Sequence, residues 1–226
     1  MRNYVFSLFF GVYVVIIILF MMKLKKGILI VFEGIDGSGK TTQAEIMLKK
    51  LKERGFDAVL FREPSNSYWG KKIKELSKKE FSLSPEEELE CFLKDRKFDV
   101  ENNIKPALKN KKIVLLDRYY FSNIAYQGAK GIDKKKIERL NKKIAIKPDL
   151  VIILDIEPET GLKRVSNVRK FERLFEKEDF LKKVRENFLS FKANNIKFVN
   201  GSKTIKEIYS EIEDIVFRLI KNREDK

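Results

Sequence analysis

Residues 31–42, with the sequence VFEGIDGSGKTT, constrain the fold of this chain more than any other stretch. They contain the pattern G-x-x-x-x-G-K-[ST], in which Gly39 is followed by Lys40 and Thr41. The apolar run at residues 28–32 is typical of a buried parallel strand, and good helix formers at helical spacing follow the pattern. Because strand, turn and helix are the context that the pattern requires, the sequence predicts a phosphate-binding loop rather than a chance match.

This loop would hold a nucleoside triphosphate through its backbone. Glycines let the N–H groups point inward at phosphate oxygens, and the helix that follows adds the positive end of its dipole. Lys40 supplies charge for the β- and γ-phosphates, and the hydroxyl of Thr41 is placed to bind Mg²⁺. We predict that nine residues bind ATP: Gly34, Ile35, Asp36, Gly37, Ser38, Gly39, Lys40, Thr41 and Thr42.

The composition of the 226 residues excludes several kinds of chemistry. There is no histidine, and Cys91 is the only cysteine, so histidine-based hydrolysis, histidine metal sites and internal disulfides are ruled out. Phosphoryl transfer needs neither group, since its acceptor is already an anionic oxygen. The net charge of +15 could indicate nucleic-acid binding. The lysines are spread along the whole chain, however, which favours a binder of anionic nucleotides with no nucleic-acid partner.

The first 22 residues form an apolar leader that is long enough to span a bilayer. It could be a membrane anchor, and the lysines after it would then keep the rest of the chain in the cytoplasm. A cleaved signal is less favoured, since no small-residue cleavage site follows. We favour a true translation start at Met21 or Met22. The prediction is a single cytoplasmic domain at residues 23–226, with membrane contact only if residues 4–22 are a real anchor.

From Gly27 onward, apolar runs alternate with helical patterns, as in a parallel sheet covered on both faces. The predicted strands are residues 28–32, 57–61, 113–116, 150–154 and 196–200. The predicted helices are residues 42–51, 71–77, 84–108 with a bend at Pro106, 133–144, 157–164, 175–191 and 205–220, while 122–130 is a loop or a short helix. The fold class is therefore α/β, with a five-stranded parallel sheet.

Polar residues follow the first three predicted strands, at the edge where ligands of such sheets bind. Arg62 follows the second strand, and Asp117 and Arg118 follow the third. Either arginine alone could be a surface cation paired with an acid, but their position beside the glycine-rich loop favours a shared phosphate site. Asp117 stands where a carboxylate that orders Mg²⁺ is expected, so Thr41 and Asp117 are the predicted metal residues.

The sequence resembles the thymidylate kinases, a family of P-loop nucleoside-monophosphate kinases. The matching segments are FEGIDGSGKTT at 32–42, REP at 62–64, Phe92 with Arg96, DRYYFS at 117–122, AYQG at 125–128, PDLVIILD at 148–155 and GLKR at 161–164. They stand in family order, and the resemblance as a whole covers about residues 27–220. The resemblance implies a P-loop NTPase fold with a lid, phosphorylation of dTMP to dTDP by ATP with Mg²⁺ on the route to dTTP, and a homodimer.

The resemblance also implies which residues bind the monophosphate: Asp36, Arg62, Phe92, Arg96, Arg118, Ser122, Tyr126 and Gln127. In the family pattern the aspartate meets the 3′-hydroxyl, the first two arginines hold the monophosphate and the third bridges both phosphates. Phe92 would stack on thymine, and the last three residues would line the pocket. From the sequence alone Phe92 could be core, although its spacing from Arg96 places both on one helix face. Tyr126 and Gln127 could be ordinary loop residues.

The resemblance further implies that a lid at about residues 166–176 would close over ATP. Gly37 stands where one branch of the family carries an arginine, so the charge that stabilises the transition state should come from this lid. An arginine brought in by closure both neutralises charge and excludes water. The predicted catalytic residues are Lys40, Arg118, Arg169 and Arg173.

Two departures from the family pattern bear on base selectivity. Ser65, Asn66 and Ser67 replace the usual glycines after REP, and Lys94 stands where alanine is usual. The alternative function is a kinase of another monophosphate, such as dUMP or a ribonucleotide. A GTP-binding switch is less favoured, because the sequence carries no N-K-x-D motif.

Overall fold

The computed structural model describes residues 24–76, 83–165 and 172–224, of which the side chains of 172–176 and 224 are not described. Its centre is a five-stranded parallel sheet, as the sequence predicted. The strands, in chain order, are β1 (Ile28–Glu33), β2 (Ala58–Arg62), β3 (Ile113–Asp117), β4 (Leu150–Asp155) and β5 (Ile196–Asn200). Their spatial order is β2-β3-β1-β4-β5, so β1 lies in the middle and pairs with both β3 and β4.

Helices cover both faces of the sheet. They are α1 (Lys40–Glu53), α2 (Tyr68–Leu76), α3 (Pro85–Asp99), α4 (Lys105–Lys109), α5 (Tyr120–Ala129), α6 (Lys134–Lys142), α7 (Pro158–Val165), α8 (Glu172–Leu189) and α9 (Ile205–Glu224). Alternate residues of β1 reach the two layers. Ile28, Ile30 and Phe32 share a core with α1 and α9, while Leu29 and Val31 pack with α5 and α8 on the opposite face. Every residue of β1 is buried, which explains its continuous apolar run.

The strand order fixes the place of the ligand site. From β1 the chain crosses to β2 at one edge of the sheet, returns to β3 beside β1 and then crosses to β4 on the other side of β1, so a crevice opens beside the carboxyl end of β1. The glycine-rich loop connects β1 to α1 at this point, and the segments that follow β2 and β3 lie at the same edge. The predicted phosphate-binding elements therefore meet where such sheets bind ligands.

The helix predicted at 84–108 is interrupted one turn before Pro106. Residues Val100–Ile104 form a π-helical segment between α3 and α4, in which the N–H of Lys105 bonds to the carbonyl of Val100. Proline has no N–H, and its ring crowds the carbonyl of the preceding turn, so the wider π turn relieves both constraints. The predicted start of this helix is confirmed, since Ser84 and Glu87 cap each other reciprocally.

Residues 122–130 proved to be mostly helical, because α5 spans Tyr120–Ala129. The apolar leader at 1–22 lies outside the described residues, and so do residues 166–171 of the predicted lid. Residues 172–176 form the first turn of α8. In the part of the chain that the structure describes, no helix combines the length and the apolar character that a membrane crossing needs.

Candidate active site

The glycine-rich loop has a backbone that only glycine accommodates easily. Gly34 has φ 136°, and a Cβ there would lie 2.4 Å from the carbonyl oxygen of Leu154. Gly37 has φ 79°, and a Cβ there would lie 2.3 Å from the carbonyl oxygen of Gly161. The loop therefore packs closely against β4 and α7, and any side chain at these two positions would strain it. Helix α1 begins at Lys40, so its N-terminus faces the loop.

The ammonium of Lys40 lies inside this loop. Its Nζ atom is 2.7 Å from the carbonyl oxygen of Ile35 and 3.4 Å from Oγ of Ser38, and the side chain is buried. Burial lowers the pKa of Lys40 to about 7, and the nearby charge of Arg118 adds to the shift. The carboxylates of Asp36 and Asp117 oppose it. The ammonium therefore lies where the phosphate oxygens of a triphosphate would lie, and its pKa is close to neutral pH.

The two predicted metal residues are in contact. Oγ1 of Thr41 lies 2.6 Å from Oδ2 of Asp117, at the junction of α1 and β3. Hydroxyl and carboxylate oxygens suit Mg²⁺, which usually keeps several waters and takes its remaining ligands from substrate phosphates. Among the described residues no group of three or more histidine, cysteine or acidic side chains could hold a metal alone. The site therefore fits an ion that arrives with a nucleotide.

Arg62 occupies a different place from the other predicted monophosphate-binding residues. Its Nε and Nη2 atoms lie 2.8 and 2.6 Å from Oδ2 of Asp117, and Nη2 also contacts the hydroxyl of Thr41. The guanidinium thus lies beside the predicted metal residues and outside the cavity that Arg118 and the other predicted monophosphate-binding residues line. The Arg62 side chain is 52% exposed, so it has room to take other orientations.

Arg118 lies between the glycine-rich loop and that cavity. Its backbone has φ 73°, a left-handed conformation that residues other than glycine seldom adopt. The guanidinium forms an ion pair with Asp36 of the loop, and Nη1 donates to Oγ of Ser122 at 3.2 Å. It also stacks over the ring of Tyr126, 5.3 Å from its centroid. Arg118 therefore contacts both regions, as a residue that bridges two phosphates should.

The cavity beside Arg118 has a volume of about 390 Å³, within the range of small-molecule sites. It is walled by α3, α5, the segment after β2 and Phe180 of α8. Seven of the eight predicted monophosphate-binding residues line it: Asp36, Phe92, Arg96, Arg118, Ser122, Tyr126 and Gln127. Phe92 is only half-buried and forms part of the wall, which argues against a purely core role.

Arg96 is buried among groups that use most of its hydrogen-bonding capacity. Glu63 accepts two bonds from it, from Nε at 3.2 Å and from Nη2, and the amide oxygens of Asn123 and Asn141 each accept one from Nη1. A guanidinium has five N–H donors, so one remains for a ligand. Burial raises the pKa of Glu63, and the charge of Arg96 opposes that rise. The pair is therefore mainly part of the cavity wall.

Sequence reasoning missed several residues of this wall, among them Glu63, Glu88 and Asn123. The amide of Asn123 bonds to Oε1 of Gln127 at 3.1 Å, and the Gln127 amide bonds to Oε2 of Glu88 at 3.1 Å. Lys130 pairs with the same carboxylate at 2.5 Å. A signal was available for Glu88, which lies four residues before Phe92 in a predicted helix. Asn123 also lies four residues before Gln127, but in a segment that could have been a loop.

The departures from the family pattern have structural roles outside the cavity. The backbone N–H and hydroxyl of Ser65 bond to Asp95 at 2.8 and 2.5 Å, and the hydroxyl of Ser67 bonds to it at 2.6 Å. These bonds tie the segment after β2 to α3. Lys94 is exposed, pairs with Glu90 at 2.6 Å and lies over the ring of Trp69.

Neither of the two predicted lid arginines has a side chain among those that the structure describes. Arg169 lies outside the described residues, and only the backbone of Arg173 is described, in the first turn of α8. Their roles therefore stay predictions.

Comparisons with known proteins agree on one family. The sequence model described as thymidylate kinase matches residues 32–212. A probable thymidylate kinase of Archaeoglobus fulgidus is 50% identical over 188 residues, which are 83% of this chain and 94% of the relative. A thymidylate kinase of Brachyspira hyodysenteriae is 43% identical over 189 residues, which are 83% of this chain and 92% of the relative.

A solved structure supports the same grouping. The crystal structure of a thymidylate kinase from Ehrlichia chaffeensis aligns with a TM-score of 0.69 and 29% sequence identity, over 84% of this chain and 98% of that one. The residues that the family model matches include the glycine-rich loop, Arg118 and the residues that line the cavity. The chain therefore belongs to the thymidylate kinase family.

Proposed function

We infer that this chain is an ATP-dependent nucleoside-monophosphate kinase that phosphorylates dTMP to dTDP, a step in the synthesis of dTTP for DNA. The observation that carries the inference is the position of Arg118, which contacts the glycine-rich loop through Asp36 and the cavity through Ser122 and Tyr126. Two nucleotides bound in these regions would meet with their phosphates at this guanidinium. Membership of the thymidylate kinase family supports dTMP as the acceptor.

The residues act chiefly by positioning the reactants and neutralising their charge. An oxygen of the dTMP phosphate bonds to the γ-phosphorus of ATP, the bond from that phosphorus to the bridging oxygen breaks, and ADP leaves with the electron pair. Lys40 neutralises oxygens of the donor phosphates, and Arg118 those of both donor and acceptor. The acceptor oxygen is already an anion, so the absence of histidine from the sequence is no obstacle.

We propose that Thr41 and Asp117 hold Mg²⁺ that enters with ATP, since their oxygens are 2.6 Å apart at the loop. When bound, the ion neutralises charge on the donor phosphates. Arg62 pairs with Asp117, so an ion held there would compete with this guanidinium, and the exposed side chain of Arg62 could turn away. The resemblance implies that it would then meet the monophosphate.

We further propose that Asp36, Phe92, Arg96, Ser122, Tyr126 and Gln127 contact the acceptor and that Arg169 or Arg173 closes over ATP. The enzyme is proposed to be a homodimer, as the family resemblance implies. It is also proposed to be cytoplasmic, as the sequence predicts whether residues 4–22 are an anchor or precede the true start. Size-exclusion chromatography with light scattering tests the dimer, and fractionation of native cells tests the location.

The direct test of the function is a panel of monophosphates assayed with ATP. We expect kcat/KM to be highest for dTMP among dTMP, dUMP, CMP, UMP, GMP and AMP. Rates on dTMP no better than those on CMP or AMP would support the alternative, a kinase of another monophosphate.

A further inference from the structure

Glu33 is a fully buried carboxylate that the reaction scheme above does not use. It is the last residue of β1, directly before the glycine-rich loop. Its Oε1 atom accepts the backbone N–H of Tyr119 at 2.8 Å and that of Ser122 at 3.2 Å, and Oε2 accepts the Ser122 hydroxyl at 2.6 Å. One carboxylate thus binds the whole turn between β3 and α5.

This turn holds the strained backbone of Arg118. A left-handed conformation at a residue other than glycine persists only where the surroundings enforce it. On one side of the turn, the N–H of Arg118 donates to the carbonyl oxygen of Phe32 at 3.0 Å. On the other side, the next N–H in the chain, that of Tyr119, donates to Glu33. Consecutive residues of β1 therefore fix the backbone on either side of the Arg118 side chain.

The carboxylate also serves as the cap of α5. Tyr119 is the N-cap residue of this helix and its side chain makes no capping bond, so the first N–H groups need another acceptor. Glu33 provides it and places a negative charge at the positive end of the helix dipole. Ser122 in the first turn both donates to Glu33 and accepts from Nη1 of Arg118, which links the cap to the guanidinium.

The charge of Glu33 is balanced locally. Burial raises the pKa of the carboxyl group, while the Ser122 hydroxyl, the charge of Arg118 and the N–H of Tyr119 oppose the rise. A buried carboxylate without such donors would be strongly unfavourable. The buried carboxylate is therefore stable only while the turn keeps the geometry that presents these donors to it.

We propose that Glu33 is a positioning residue for phosphoryl transfer, holding the turn from Arg118 to Ser122 so that the guanidinium faces Asp36 and the phosphates. The proposal rests on the proposed function of Arg118. Glu33 itself touches no reactant, because its two oxygens are engaged by the turn.

A double-mutant cycle tests this role with Glu33→Ala, Arg118→Ala and the combination, measuring kcat and both KM values. Displacing a catalytic group by about 1 Å can cost on the order of 10²-fold, so we expect a loss of that size in kcat for Glu33→Ala. The combination should be no slower than Arg118→Ala alone, because positioning has no effect once the guanidinium is gone. Losses that multiply, or a kcat for Glu33→Ala within about threefold of wild type, would overturn the proposal.

Two further variants keep the test decisive if Glu33→Ala does not fold. Glu33→Asp draws the acceptor back by one methylene, and Glu33→Gln keeps an acceptor in place. The proposal expects a clear loss of kcat in the first and partial retention in the second, and equal kcat values for the two would overturn it. Asp149→Asn is the matched control, since Asp149 accepts the N–H of Leu29 at 2.9 Å at the opposite end of β1. It should keep its kcat.

The outcome is separable from that of the proposed function. A wild-type protein that phosphorylates no monophosphate refutes the function. An active wild type whose Glu33 and Arg118 variants act independently refutes only the positioning role.

Discussion

The glycine-rich loop and the cavity beside it differ in how the chain builds them. The loop comes from one contiguous stretch, and its shape follows from glycines at fixed spacing and from the helix that starts at Lys40. The cavity is assembled from segments that lie far apart in the sequence, from Asp36 to Phe180, around the buried pair of Glu63 and Arg96. We therefore expect the loop to tolerate changes in the cavity, and the cavity to depend on a few long-range contacts.

The largest effects should come from the two cations at the junction of these regions. Lys40→Ala and Arg118→Ala each remove charge that stabilises the transferring phosphoryl group, and we expect kcat to fall by about 10²–10³-fold. Lys52→Ala is the matched control, because this lysine is exposed in the last turn of the same helix α1. Circular dichroism should show a retained fold. A wild-type rate in either variant would contradict the assignment.

Breaking the buried pair of Glu63 and Arg96 should impair the cavity and leave the glycine-rich loop unaffected. Glu63→Gln removes the carboxylate that pairs with the buried Arg96, and we expect the free energy of unfolding to fall by about 3–5 kcal/mol. Affinity for dTMP should fall, while affinity for ATP should hold, since the loop does not contain this pair. Glu213→Gln removes a more exposed ion pair with Arg54 and should cost no more than about 1 kcal/mol. Equal losses of ATP and dTMP affinity would show that the regions are not independent.

The cavity wall offers a smaller and more specific test. If Phe92 stacks on the base, Phe92→Ala should cost about 1–3 kcal/mol of dTMP binding, as for other aromatic–base contacts. KM for dTMP should rise while KM for ATP stays close to wild type. Phe98→Ala is the control, because this ring is exposed on the same helix α3. An unchanged KM for dTMP would remove Phe92 from the binding site.

The smallest expected effect concerns the proton of Lys40. Its pKa is lowered to about 7 by burial, so the free enzyme at pH 8 holds it mostly neutral, whereas bound phosphates favour the charged form. ATP binding at pH 8 should therefore take up a proton, and affinity should weaken by up to about tenfold per pH unit above 7. Below that pH the lysine is already charged and the dependence should flatten.

Calorimetry at pH 8 in two buffers of different ionisation enthalpy measures this uptake. Lys40→Arg keeps a permanent charge at the position and should abolish the uptake. Binding of ATP to the wild type at pH 8 without proton uptake would contradict the shifted pKa.

The contrast between the two regions also explains what the sequence could and could not predict. The sheet, the glycine-rich loop and the contact of Thr41 with Asp117 follow from local patterns and from the rule that strand ends share one edge. The partners of Arg96 do not, because they depend on how α3 lies against β2, α5 and α6. The position of the Arg62 side chain also could not be predicted, because this side chain is long enough to reach either Asp117 or a bound ligand.

Helix α5 shows how an open secondary-structure assignment hides site residues. As long as residues 122–130 could be a loop, the sequence did not indicate which of their side chains share a face. As a helix, it aligns Asn123, Gln127 and Lys130 along the cavity. The role of Ser65 and Ser67 was hidden for a different reason, because nothing local indicates that both bond to Asp95.

The central claim is that two nucleotides bind end to end, with their phosphates meeting at Arg118. A single ligand in which adenosine and thymidine are joined by a chain of phosphates tests it most directly by competition binding. The account predicts that this ligand binds more tightly than ATP or dTMP, displaces both, and loses much of its advantage in Arg118→Ala. A ligand that displaces only ATP, or binds no better than ATP alone, would contradict the account.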